Sequence, residues 1–160
     1  RAVEAMQKAG VIGGMIDIGG DVICFGAPPK PMLRWTIGVQ DPQRLSDNPD
    51  DRNILSTLLL QNQAVTTSGN YRKFVTVRGK RTSHIIDPNS AEGADSLISV
   101  TVIAPSGTAA DVLATAVSVM GLEKGLALIE KLKDTEAIII TAVNPQKPIY
   151  SSGAKKFIAK

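Results

Sequence analysis

Residues 96–143 read SLISVTVIAPSGTAADVLATAVSVMGLEKGLALIEKLKDTEAIIITAV, and their hydrophobic pattern changes period twice. SLISVTVIAPS is apolar and β-branched, which predicts a buried strand. From Thr108 to Met120 the run TAADVLATAVSVM consists of helix formers, with Ser106 or Thr108 as N-cap and Gly121 as stop. EKGLALIEKLK at 123–133 predicts a second helix, amphipathic through Leu126, Ile129 and Leu132. EAIIITAV at 136–143 then returns as a buried strand. Strand, helix pair and strand differ from the regular alternation of a doubly wound sheet. The segment predicts an α+β fold.

Upstream, β-rich segments dominate. RAVEAMQKA at 1–9 is a short helix ending at Gly10, and MIDIGGDVICFG at 15–26 is two β segments around Gly19-Gly20. RWTIGVQ at 34–40 is a strand, and DPQRLSDNPDDRN at 41–53 is a polar loop. ILSTLLLQNQAVTTSG at 54–69 reads as one further strand, and KFVTVRGKRTSHII at 73–86 as a hairpin turning at Arg78-Gly79-Lys80. DPNSAEGAD at 87–95 is a loop, and KKFIAK closes the chain. No internal repeat or linker divides residues 1–160, which read as a single unit.

Composition narrows the function classes. The chain has 160 residues, 43% hydrophobic and 21% charged, which excludes disorder and low-complexity structure. No continuous apolar run approaches the roughly 20 residues of a membrane span. A formal net charge of +3 gives no argument for nucleic acid. The acid-free run holding Arg72, Lys73, Arg78, Lys80 and Arg81 reads as the solvated face of a hairpin, or as a basic wall near an anionic ligand. The single cysteine, Cys24 in VICF, excludes an internal disulfide and CxxC chemistry, and reads as a small core residue.

A few residues have chemical potential. Asp111 and Thr115 are four apart, so on a helix their oxygens share one face. Asp111 also lies close to the positive end of the helix dipole. The pair suits a hard cation such as Mg²⁺, with waters or phosphate completing the shell; it equally describes an ordinary first helical turn. His84 in SHIIDP is the only histidine and the natural general-base candidate, although a lone histidine is more often structural. Gly19-Gly20-Asp21 and Ser68-Gly69-Asn70-Tyr71-Arg72 suit close approach to a phosphate or a flat ligand, and equally suit plain turns.

The order and wording of these blocks carry more than each alone. IDIGGD, W-x-I-G-V-Q-D-P, AVTTSGNYR, GKRTSHIIDP, SVTVIAP and AADVLATAVSVMGLEKGLALIE together resemble the ApbE family of FAD:protein FMN transferases, from Arg1 to about residue 133. The resemblance implies an α+β fold related to the T-fold, with a mixed, mostly antiparallel sheet and a helix pair. Family members are roughly twice as long, so it also implies that residues 1–160 are the C-terminal portion of one larger domain whose N-terminal half lies elsewhere.

It further implies an activity. Members move FMN from FAD to a threonine hydroxyl of an acceptor protein, with Mg²⁺ and release of AMP. By motif position, Asp111 and Thr115 match metal ligands, and His84 matches the residue that helps deprotonate the acceptor threonine. Ile86 matches a backbone contact to FAD, while Ser68, Gly69, Tyr71 and Arg72 match a motif that shapes the flavin site. Asp21 matches the aspartate of a G-G-D element. After SHIIDP, Asn89, Ser90, Ala91 and Glu92 stand where the family usually has T-G-x-P. Two other readings use the same residues: an FAD pyrophosphatase with water as nucleophile, and a flavin carrier without turnover. The family's usual place is the periplasmic face of the bacterial inner membrane, through a lipid anchor outside these residues.

Overall fold

The computed structural model describes residues 1–44, 53–71, 74–77 and 79–159. Six strands form the main sheet, in the order β1-β2-β5-β8-β9-β10, and every neighbouring pair is antiparallel. They are β1 (Gly14–Ile18), β2 (Asp21–Phe25), β5 (Gln63–Gly69), β8 (Leu97–Ala104), β9 (Glu136–Thr141) and β10 (Ile149–Tyr150). β3 (Trp35–Gln40) and β4 (Ile54–Leu60) make a separate two-stranded sheet, as do β6 (Phe74–Val77) and β7 (Lys80–Ser83). Helix α1 (Ala2–Lys8) precedes the first hairpin, α2 (Gly107–Ile129) connects β8 to β9, and a 3-10 turn, Ala154–Phe157, lies near the end. The architecture is α+β, as the segment 96–143 predicts.

Both faces of the main sheet are covered. On one, Ala110, Ala114, Val117 and Ile129 of α2 pack on Ala64, Val100, Val102 and Ile139. On the other, Ile37, Val39, Leu58 and Leu60 of β3–β4 pack on Val22, Cys24, Val65 and Ile138. The result is three layers around two apolar clusters. Cys24 is fully buried there, as the apolar run VICF predicts, and burial pushes its thiol up to about 11.

The helix pair is present, its two helices joined at a sharp break within α2. Gly121 has φ +76 and ψ 177 inside α2, a backbone state that favours glycine. Gly125 then lies against the side chain of Val117, closer than a Cβ would allow, so the two halves fold together. The Ser106 hydroxyl caps the start by accepting from the Ala109 N–H at 3.2 Å. The helix stops at Ile129 rather than at residue 133, because its last turn tightens into i→i+3 bonds from Lys131 and Leu132.

One expectation needs correction. Residues 54–69 are two strands in different sheets, not one. Asn62 adopts φ 58, and its Oδ1 accepts the Gly26 N–H at 2.7 Å, so the chain turns at the end of β2 and changes layers. By length and composition alone α2 would pass as a membrane span, but Gly121 divides it into two shorter helices. Ala110, Ala114, Val117 and Ile129 of α2 pack against the sheet, while Val112 and Met120 are exposed.

Candidate functional site

Two β5 residues two apart face the same side of a sheet. Ala64 packs under α2, so Thr66 and Ser68 share the helix-covered face, while Val65 and Thr67 face β3–β4. On α2, Asp111 and Thr115 are one turn apart, and both are exposed at the margin of the packed face. The two elements meet at the Ser68 and Thr115 hydroxyls, 3.1 Å apart. Residues separated by 47 positions in the chain are thereby joined. Asp21 opens β2 on the same face, because Ile23, two residues on, packs with the α2 cluster.

A second group forms at the far end of β5. Gly69 carries no side chain because the Tyr71 ring lies against its Cα, and a Cβ there would also come within 3.1 Å of the Ile98 carbonyl. Tyr71, Thr82, Ser83 and Asp95 line a common cleft of about 320 Å³. Asp95 organises the strand end: its carboxylate accepts the Ser83 N–H at 2.8 Å and the Thr82 hydroxyl at 3.0 Å. His84 follows Ser83 and is exposed. Ile86 is also exposed and bridges to Gly93 through its backbone. Where the usual T-G-x-P is replaced, the Asp87 carboxylate accepts from Asn89 N–H (2.9 Å) and Nδ2 (3.1 Å), closing the turn locally.

The sequence-predicted residues therefore fall in two groups. Asp21, Ser68, Asp111 and Thr115 share the α2 side, whereas Tyr71, His84 and Ile86 belong to the β7 end. Arg72, with Lys73 and Arg78 of the basic run, lies outside the described residues. Asp95 went unnoticed in the sequence, where it follows a plain Gly-Ala loop; only the fold shows that it holds the His84 strand end.

Tyr71 also lines a larger cleft of about 400 Å³ with Met15, Asp17, Gly19, Gly20 and Gly38, between the β1–β2 hairpin and β3. This cleft opens on the face opposite the Ser68–Thr115 contact, because Val22, Val65 and Thr67 line it.

The donor set decides which metal the α2 side fits. Asp111 offers a carboxylate and Thr115 a hydroxyl, both hard oxygens suited to Mg²⁺ rather than to zinc or copper. Among the described residues no three His, Cys, Asp or Glu side chains converge to hold an ion. The chain thus fits a partial Mg²⁺ shell of the kind that phosphate oxygens and waters complete.

Comparison with known proteins agrees with this motif order. A family model described as the ApbE family matches residues 1–139. The chain belongs to the ApbE family. It is 32% identical over 158 residues to an FAD:protein FMN transferase of Vibrio cholerae, covering 98% of this chain and 46% of that protein. A Treponema pallidum FAD:protein FMN transferase is 30% identical, with coverages of 95% and 42%. Among solved structures, the flavin transferase ApbE from Vibrio cholerae superposes with a TM-score of 0.76 at 30% identity, over 97% of this chain and 47% of that one. The ApbE protein of Thermotoga maritima superposes with a TM-score of 0.75 at 29% identity, over 92% and 45%. This ApbE chain spans about half the length of the curated relatives it matches.

Proposed function

We propose that the protein is an FAD:protein FMN transferase, moving FMN from FAD to a threonine hydroxyl of an acceptor protein and releasing AMP. The observation that carries this reading is the Ser68–Thr115 contact, which joins the SGNYR and ADVLAT segments at one place on the α2 side. Asp111 and Thr115 would hold Mg²⁺ there. Bound Mg²⁺ supplies neutralisation of the pyrophosphate charge that otherwise repels an incoming oxygen.

The chain's own residues do the rest. His84 takes the threonine proton on an imidazole nitrogen as the threonine oxygen bonds to the FMN phosphorus. The bond from that phosphorus to the AMP oxygen breaks, and AMP leaves with the electron pair. Tyr71, held over Gly69, forms a wall of the flavin site, with Ser68, Arg72, Asp21 and the Ile86 backbone contributing to the binding of FAD. Asp95 holds the strand end from which His84 projects. In this reading residues 1–160 are the C-terminal portion of a single transferase domain. The intact protein works on the periplasmic face of the bacterial inner membrane, held by a lipid anchor outside these residues.

The test is to incubate the protein, at its full natural length, with FAD, Mg²⁺ and a threonine-bearing acceptor peptide, and to weigh the peptide. A gain of one FMN mass with equimolar AMP is expected. AMP and free FMN without peptide modification would replace the transferase by a pyrophosphatase, and bound FAD without AMP would replace it by a carrier. Asp111→Ala is expected to lower the Mg²⁺-dependent rate by at least about 100-fold; an unchanged rate would remove the metal assignment.

A further inference from the structure

Thr66 is 3% exposed, and its hydroxyl is the one buried side-chain polar atom among the described residues with no hydrogen-bond partner. An unpaired buried hydroxyl costs about 1–3 kcal/mol, so it calls for an explanation. The strand register says where it points. Thr66 pairs with Val102 of β8, and Val102 packs beneath α2. The hydroxyl therefore lies on the helix-covered face, between Ala64 and Ser68.

Two contacts fix how α2 crosses that face. At its start, Gly107 approaches the Ile23 side chain, and Ile23 is the strand partner of Ala64. Two turns later, Thr115 meets Ser68. β5 advances about 13 Å from 64 to 68, and the helix advances about 12 Å from 107 to 115. The two elements run side by side, which brings Thr66 level with Asp111. Extending the β2–β5 register one residue beyond Val22–Val65 also sets Asp21 opposite Thr66.

We propose that Thr66 is a further oxygen ligand of the site, its hydroxyl entering the shell of the divalent cation that Asp111 and Thr115 would hold. The proposal rests on the cation reading above. A threonine suits this place because a neutral oxygen adds a ligand without adding charge. The total negative charge around the ion then stays low enough to admit phosphate oxygens as well. The cation also gives the orphaned hydroxyl the partner it lacks.

Mn²⁺ titration of the protein at its full natural length, followed by electron paramagnetic resonance, tests this without recourse to activity. Thr66→Val is expected to weaken Mn²⁺ binding about tenfold, and Thr66→Ser to stay within about twofold of the parent chain. Without metal, Thr66→Val should melt no lower than the parent, since it removes an unpaired hydroxyl at nearly constant volume. If Asp111→Ala loses Mn²⁺ while Thr66→Val binds normally, Thr66 is no ligand and the cation reading survives. If Thr66→Ser loses as much as Thr66→Val, the methyl group and not the hydroxyl matters, and the proposal falls. If the full-length parent binds no Mn²⁺ even with FAD present, both readings fall together.

Discussion

Cys24 illustrates how burial sets chemistry at the level of one residue. Its thiol lies between the main sheet and β3–β4, where an anion would be poorly solvated, and the folded pKa rises from 9.0 to about 11. The folded state then holds its proton more tightly than the unfolded state. The associated stability is complete below pH 9.0 and is lost as pH rises through about 11. Urea unfolding at several pH values should show Cys24→Ala lacking roughly 1–2 kcal/mol of the decline that the parent chain shows across that window. Identical slopes would place the thiol in a wetter site. Asp95 acts at the same scale through hydrogen bonds: its carboxylate accepts from the Ser83 N–H and the Thr82 hydroxyl and so shapes the strand end before His84.

At the scale of elements, α2 is the part on which the site depends. Its N-terminus is set by Ser106, its register on the sheet by the Gly107–Ile23 contact to β2 and the Thr115–Ser68 contact to β5, and its break by Gly121. Ser106→Ala should destabilise the chain by about 1 kcal/mol through loss of the cap, read as a lower urea midpoint. A change smaller than about 0.3 kcal/mol would mean that the first turn is held by packing alone. Gly121 and Ser106 are legible in the sequence because caps and stops are local chemistry. The turn at Asn62 is marked only by the polar triplet Gln61-Asn62-Gln63 between two apolar stretches, a weaker signal than a cap or a glycine stop. Only the Gly26 N–H, 36 residues away, gives Asn62 Oδ1 the partner that favours the turn.

At the scale of the molecule, the main sheet of the described residues ends in β1 on one side and in the two-residue β10 on the other. Among the described residues β1 pairs with β2 alone, and Ile18 on it is 72% exposed. An apolar edge strand with free backbone groups is a template for association. The 160-residue chain on its own should therefore self-associate at micromolar concentration in light-scattering measurements, and Ile18→Lys should reduce the associated fraction several-fold. A monodisperse parent chain would show that this edge is already protected.

The sequence by itself determined the α+β class, the helix pair with its cap and break, and the order of motif blocks that the family model then matched over residues 1–139. Those features are written in local periodicity, capping chemistry and residue identity, so they can be read in a line. The division of 54–69 between two sheets, the Ser68–Thr115 contact, the role of Asp95 and the orphaned Thr66 hydroxyl were decided only in three dimensions. Each depends on a partner from another element of the chain, and no local pattern encodes which distant atom will complete a hydrogen bond.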